Sequence, residues 1–213
     1  MAGVDVAQVR AALVRVARVL EAHKDRLTEL DQAMGDGDLG ITAGKMAAAL
    51  TAYAADEPAT TDVGTYVAQA GMAVNRAASS SLGTLLATAA MRAGKEVRGQ
   101  EAVAAADLAG MLTAADVGIQ ERGKAKPGDK TIIDVVHPAA EAFAAAVEEG
   151  ADVVAAAGRM LDAARVGRDA VTPLRSRVGR ASWVGERTEG LVDPGCEAGV
   201  VILEALASPM EDA

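Results

Sequence analysis

The sequence predicts an all-α domain, and three observations lead to that fold class. Apolar residues recur at helical spacing, and no segment alternates β-branched with polar residues as a half-buried strand does. Hydrophobic residues make up 51% of the 213-residue chain, but aromatic residues make up only 2%. The core must therefore be built from Ala, Val, Leu and Met, whose small members let helices approach closely. A chain of this length fits a single domain over residues 1–213.

The first half of the chain contains four predicted helices. Residues 5–29 have apolar positions every three or four residues with charged residues between them, and residues 41–54 continue this pattern. A third helix is predicted over about 62–77. The fourth covers 84–94, and Gly94 is expected to be its C-cap.

The second half contains four more helices, which brings the predicted total to eight. Three Ala-rich segments at 101–121, 132–149 and 151–171 have helical periodicity and are separated by glycines or loops. The last helix begins after the N-cap Asp193 and runs to about Ala207. Unusual residues are concentrated in four loops, and the functional interpretation assumes that these loops share one end of the scaffold. They cover residues 31–42, 77–84, 121–131 and 177–195.

Charge and cysteine content exclude several classes of protein. The net charge of −9 and the lack of a dense basic stripe argue against a nucleic-acid partner. No apolar run is long enough to span a bilayer, so no membrane association is expected. The single cysteine, Cys196, cannot form an intramolecular disulfide, which favours a reducing compartment. The opening MAGVDVAQVR lacks the pattern of a secretory signal, and a cytoplasmic protein is predicted.

Residues 31–40, DQAMGDGDLG, gather three aspartates and three glycines. Clustered carboxylates repel one another unless they titrate or meet cations, and hard divalent cations prefer oxygen ligands. Glycines allow a tight backbone path that turns several carboxylates toward one point. Asp31, Asp36 and Asp38 are therefore candidate ligands for Mg²⁺, which is usually held by a few carboxylates, waters and substrate phosphates. A solvated acidic turn with Asp caps is the alternative interpretation.

Widely shared phosphate and calcium motifs do not account for this loop. Gly35, Gly37 and Gly40 match G-x-G-x-x-G, but a helix precedes them where that motif requires a strand. The segment GITAGKM at 40–46 has one residue too few between its glycines for a Walker A loop, and Met46 replaces Ser or Thr. An EF-hand would need a Glu at its twelfth position, which is missing.

Three stretches together resemble the ADP-binding L domain of dihydroxyacetone kinases. They are the L-x-x-x-D-x-x-x-x-D-G-D stretch from Leu27 to Asp38, KPGDKTIIDVV at 126–136, and GRASWVGERTEGLVDPGCEAG at 179–199. The resemblance covers nearly the whole chain. Two departures stand out: Leu39 replaces a His or polar residue, and SSLG at 80–83 replaces a GGTSG-like turn.

The resemblance implies an eight-helix antiparallel barrel or bundle with a nucleotide site at one end. It implies that Asp31, Asp36 and Asp38 bind two Mg²⁺ ions, which hold the phosphates of ADP or ATP. Other residues are expected to contact or border the nucleotide because they match the motif positions of the family. These are Leu39, Gly40, Thr42, Ser80, Ser81, Leu82, Gly123, Ile132, Arg180, Asp193 and Gly195.

The resemblance further implies phosphoryl transfer to a short ketose that is held on a separate K subunit. Neither His23 nor His137 is a candidate catalyst; both are expected to be surface or capping residues, so the chain is predicted to act only with that partner. Among relatives the phosphoryl donor is either ATP or a phosphotransferase-system phosphocarrier protein, and both remain open. The substrate is dihydroxyacetone or another short ketose such as erythrulose. The rival interpretations are a fatty-acid-kinase-type domain, a regulator that resembles the L domain (DhaL), and a helical scaffold without a ligand.

Overall fold

A computed structural model describes residues 3–208, and within them the chain folds into eight α-helices, which confirms the predicted fold class. Residues 1–2 and 209–213 of the predicted domain lie outside this range, and the assignment of residues 1–213 to a single domain stays a prediction. The helices are α1 Val6–Met34, α2 Leu39–Ala55, α3 Val63–Ala77, α4 Ser81–Glu96, α5 Ala105–Gly123, α6 Ile133–Glu148, α7 Val153–Val171 and α8 Pro194–Ala207.

The helices form a closed ring. Each helix packs against its neighbours in the chain, and α8 also packs against α1, so the first and last helices meet. Apart from the long loop between α7 and α8, the connections are short, which favours antiparallel neighbours in a helical bundle. Two two-residue strands, β1 Val4–Asp5 and β2 Ala102–Val103, pair antiparallel with Val4 opposite Val103. None of the described helices is both long and apolar enough to cross a membrane.

Helix α1 begins with a capping box and ends later than the sequence pattern predicts. The Asp5 side chain accepts a hydrogen bond from the Gln8 backbone N–H at 2.9 Å, and the Gln8 side chain accepts one from the Asp5 N–H at 3.0 Å. The helix runs to Met34, five residues beyond the predicted end, and α2 already begins at Leu39. The predicted loop 31–42 is therefore reduced to a four-residue turn between two helices.

Gly94 is not the C-cap that the sequence suggested, because α4 continues through it to Glu96. It lies at the contact between α3 and α4, opposite Gly64. A Cβ on either glycine would collide with the carbonyl oxygen of the other. Gly94 is thus required by the close approach of two helices, whereas the helix ends at Glu96 and its C-cap residue, Val97, is not a glycine.

Two further boundaries differ from the prediction. Helix α4 begins at Ser81, because the Ser80 side chain caps it by accepting from the Gly83 N–H at 3.2 Å. Helix α5 begins only at Ala105, since residues 102–103 pair with β1 instead. The long loop 177–195 contains a 3₁₀ helix, Arg180–Thr188, which the sequence pattern did not predict.

Candidate functional site

The three predicted metal ligands converge in the turn between α1 and α2. Asp31 lies in the last turn of α1, Asp36 in the connection, and Asp38 at the N-cap position of α2. One carboxylate oxygen from each lies within 4.8 Å of the other two. Over residues 3–208 this is the one group of three or more acidic, His or Cys side chains that is gathered so closely. Three carboxylates at this spacing match the oxygen ligands that Mg²⁺ prefers.

Glycines make this convergence possible. Gly37 has a φ of +75°, in the left-handed region that side chains disfavour, and it reverses the chain between Asp36 and Asp38. A Cβ on Gly40 would collide with the Thr28 side chain and the Lys24 carbonyl on α1, so Gly40 lets α2 cross α1 directly behind the turn. Asp31 also accepts a hydrogen bond from the Leu39 N–H at 3.1 Å, which fixes its carboxylate toward the turn.

Arg180 brings the last loop to the aspartate turn. Its guanidinium donates to both Asp36 and Asp38, with one Nη1 to Asp38 Oδ2 distance of 3.2 Å. Arg180 opens the 3₁₀ helix and follows Gly179, whose φ of +74° turns the chain toward α1. All three side chains are about half exposed, so this ion pair can exchange for other partners in solution.

A cleft of about 490 Å³ lies beside the start of the loop segment that carries Arg180, with Gly179 in its wall. It is built where the start of α4, the end of α5 and the start of α6 meet the loop before Arg180. Ser80, Ser81, Gly123 and Ile132, four of the residues predicted to contact a nucleotide, lie in its wall. The remaining lining residues are Ser79, Thr84, Leu85, Arg122, Ala125, Thr131, Ile133, Val178 and Gly179.

The cleft has one polar end and one apolar side. Serine hydroxyls and backbone N–H groups at the start of α4 favour an anionic group, because the first turn of a helix leaves amides without intrahelical partners. Leu85, Ile132 and Val178 provide an apolar surface suited to a flat ring. Gly179, in the cleft wall, directly precedes Arg180, so the cleft and the aspartate cluster adjoin.

The other predicted nucleotide residues are not among those that line the cleft. Leu82 and Thr42 are buried in the protein interior, and Leu39 packs partly against the core. Asp193 caps α8 by accepting from the Cys196 N–H at 2.8 Å, and burial raises the pKa of its carboxyl to about 6. Gly195 lies beside the Ile132 backbone, where a Cβ would be 3.6 Å from the Ile132 nitrogen. Direct contact of these residues with a nucleotide stays a prediction.

Arg122 and Thr84 are cleft residues that sequence reasoning missed. Arg122 precedes Gly123, which was predicted to border the site, and it places a cation in the cleft wall. Thr84 lies one turn after Ser80, on the face of α4 that lines the cleft. The sequence could have indicated both, because Arg122 is adjacent to Gly123 and Thr84 lies four residues after Ser80.

Neither histidine lines the cleft. His137 is partly exposed and, in addition, contacts a neighbouring helix. It lies within α6, four residues after the helix starts, and its Nδ1 is 2.8 Å from Asp116 Oδ2 on α5. This hydrogen bond raises the pKa of His137. The Nδ1 of His23 lies 2.8 Å from the Val19 carbonyl oxygen of its own helix.

Comparison with known proteins identifies the family. The model of the DAK2 domain matches residues 33–208. The chain belongs to the DAK2 domain family. It is 30% identical over 197 residues to the ADP-binding subunit DhaL of PEP-dependent dihydroxyacetone kinase 2 from Listeria innocua, covering 92% of this chain and 90% of that protein. It is also 30% identical to L-erythrulose kinase from Pectobacterium atrosepticum, covering 94% of this chain but only 34% of that larger protein.

Solved structures of the dihydroxyacetone kinase of C. freundii share the fold. The native form has a TM-score of 0.74 at 25% identity and covers 94% of this chain. The complex with AMP-PNP and Mg²⁺ has a TM-score of 0.73 at 23% identity and covers 96% of this chain. The match spans 34% of each of those chains, so this chain corresponds to about a third of that enzyme.

Proposed function

We propose that this chain is the Mg²⁺- and nucleotide-binding subunit of a kinase that phosphorylates dihydroxyacetone or a similar short ketose. The observation that carries the proposal is the convergence of Asp31, Asp36 and Asp38 beside a cleft with serine hydroxyls at one end and an apolar wall. The family assignment and the similarity to an ADP-binding subunit support it.

In this proposal the aspartates hold two Mg²⁺ ions, and the ions in turn hold the phosphates of ADP or ATP. Bound Mg²⁺ neutralises phosphate charge and favours an in-line phosphoryl transfer. Ser80 and Ser81 donate hydrogen bonds to phosphate oxygens from the start of α4. The adenine ring lies against Ile132 and Gly123, in the apolar part of the cleft.

Arg180 has two roles in this proposal. Without nucleotide it neutralises part of the aspartate cluster, as the ion pairs with Asp36 and Asp38 illustrate. When metal ions take over the carboxylates, the guanidinium is released and binds phosphate, for which its planar array of donors is well suited. The guanidinium therefore offsets part of the negative charge of the site in both states.

The acceptor comes from a partner in this proposal. The cleft wall contains no His, Cys or acidic side chain that would serve as a base for a ketose hydroxyl, and both described histidines lie elsewhere. A separate K subunit presents the ketose over the aspartate turn. The phosphoryl donor is ATP or a phosphotransferase-system phosphocarrier protein that rephosphorylates bound ADP. The similarity to L-erythrulose kinase favours erythrulose as the second candidate substrate.

Calorimetric titration separates the binding proposal from a ligand-free helical scaffold. ADP should bind in the presence of Mg²⁺, and chelation of the metal with EDTA should weaken binding by at least about tenfold, because the carboxylates alone repel the phosphates. Equal affinity with and without Mg²⁺ would contradict the proposed site.

A kinase assay tests whether phosphoryl transfer requires the K subunit. The isolated chain should not phosphorylate dihydroxyacetone or erythrulose from ATP, whereas addition of a K subunit should restore turnover with one of them. Turnover by the isolated chain would contradict the requirement for a partner. The ratio of the two rates identifies the preferred ketose.

A further inference from the structure

Lys130 is a buried cation outside the cleft. Only 1% of the residue is exposed, and it is the largest of the fully buried side chains among residues 3–208. Its backbone has a φ of +61°, which is uncommon for a residue other than glycine. Burial lowers the pKa of its ammonium group. A buried charge is costly unless its hydrogen-bonding capacity is satisfied, so its partners must be exceptionally well placed.

The ammonium group donates to three backbone carbonyls. Nζ lies 2.8 Å from the Thr172 oxygen, 2.8 Å from the Leu174 oxygen and 2.5 Å from the Thr188 oxygen. An ammonium has three donors, so the whole capacity of Lys130 is used. Thr172 and Leu174 lie just after α7, whereas Thr188 ends the 3₁₀ helix. Lys130 therefore joins the two ends of the segment 172–188.

That segment contains Arg180, and most of its residues are exposed or only partly buried. Two of its large apolar residues are exposed, Leu174 by 41% and Trp183 by 85%, whereas Val178 packs partly against the core. Two backbone ties support the Lys130 contacts: the Arg177 N–H donates to the Asp129 carbonyl at 3.1 Å, and the Gly190 N–H donates to the Thr172 carbonyl at 3.0 Å. Segments with so few buried apolar contacts open easily unless polar contacts hold them.

We propose that Lys130 is a positioning residue that clamps the segment 172–188 and thereby holds Arg180 over the aspartate turn. It lies two residues before Ile132, so the same side chain links the apolar wall of the cleft to the loop that carries Arg180. Lys130 does not touch the nucleotide and acts through Arg180. This inference rests on the proposed function, since it gives a residue that prepares the nucleotide site.

A double-mutant cycle tests whether Lys130 acts through Arg180. Lys130→Met keeps the length of the side chain but removes its donors, and Arg180→Gln removes the residue to be positioned. Each single change should weaken Mg·ADP binding by about tenfold or more, because a charge-assisted hydrogen bond to phosphate is lost. The double variant should bind no more weakly than the weaker single variant. Losses that multiply would show that Lys130 acts independently of Arg180 and would overturn the proposal.

Trp183 reports on the clamp without any nucleotide. It is the only tryptophan of the chain and lies three residues after Arg180. Lys130→Met should lower the fluorescence anisotropy of Trp183, because the released segment moves more freely. The control is Lys126→Met, an exposed lysine of the same loop, which should leave both anisotropy and Mg·ADP affinity unchanged. Unchanged anisotropy in Lys130→Met would overturn the clamp.

A third variant keeps the test decisive. If Lys130→Met does not fold by circular dichroism, Lys130→Gln retains part of the donor capacity and should show the same changes at smaller size. If neither folds, Lys130 is needed for the whole domain and the local positioning role is wrong. Absence of Mg·ADP binding by the wild-type chain would instead overturn the proposed function, while the Trp183 anisotropy still tests the clamp.

Discussion

Replacing Asp36 by Asn should make the metal-free chain more stable and at the same time weaken its binding of Mg·ADP. Carboxylate oxygens of Asp31, Asp36 and Asp38 lie within 4.8 Å of one another. Two unit charges at this distance repel by about 0.9 kcal/mol in a water-like dielectric, which suits half-exposed side chains. Asp36 takes part in two such pairs, so the change relieves about 2 kcal/mol of repulsion.

The lost ion pair with Arg180 opposes this gain. An exposed pair contributes about 0–1 kcal/mol, and Arg180 keeps Asp38 as a partner. The free energy of unfolding should therefore rise by about 1 kcal/mol on balance. Affinity for Mg·ADP should fall by at least about tenfold, because an oxygen ligand of the metal is removed.

Urea unfolding without metal and calorimetric titration with Mg·ADP measure the two effects. Asp25→Asn is the matched control, because it removes the same charge from an exposed residue of α1 that forms no ion pair with a described residue. Its free energy of unfolding and its affinity for Mg·ADP should stay near those of the wild type. A variant that is more stable but binds Mg·ADP more weakly indicates that the aspartate cluster is maintained for ligand binding. If Asp36→Asn leaves affinity unchanged, or lowers stability and affinity together, the reasoning is refuted.

Three further predictions concern packing and pH. Gly94→Ala should lower the free energy of unfolding by about 2 kcal/mol, because the new Cβ overpacks the contact between α3 and α4. Gly158→Ala, where the new Cβ meets open space, should raise it by about 1 kcal/mol. If urea unfolding ranks the two variants the other way, the helix contact is contradicted. The buried Asp193 has a raised pKa of about 6, so the free energy of unfolding should fall by about 3 kcal/mol as pH rises from about 4 to 6. Asp193→Asn should abolish this pH dependence and still cap α8, because an amide oxygen accepts the same hydrogen bond. The contact with Asp116 raises the pKa of His137, so its stabilising effect should be present below about pH 6.5 and lost as pH rises through the raised pKa. His137→Gln should remove this dependence in urea unfolding at pH 6 and pH 9, and an unchanged pH profile would contradict it.

The local sequence was enough to predict the helices and the acidic turn. Helical periodicity depends on residues three and four positions apart, and all eight helices follow from it. The aspartates converge because Gly37, between Asp36 and Asp38, permits a tight turn, which is again a local property. The end of α1 was placed too early because apolar periodicity weakens before Met34, although Gly35 marks the helix end.

Long-range contacts were not predictable from local patterns. Arg180 and Asp36 are 144 residues apart, and nothing in either segment shows that they meet. The three carbonyls that bind Lys130 are backbone groups, which leave no signal in the sequence. Gly94 resembled a helix end because a glycine that terminates a helix and one that allows a helix crossing look alike in one sequence.

A crystal structure with ADP and with Mn²⁺ in place of Mg²⁺ tests the central claim most directly, because anomalous scattering locates the metal independently of the model. The proposed function predicts anomalous peaks about 2.1 Å from carboxylate oxygens of Asp31, Asp36 and Asp38, with Arg180 turned from Asp36 to phosphate. Bound ADP with no anomalous peak at these carboxylates, and with Arg180 still paired to Asp36, would contradict it.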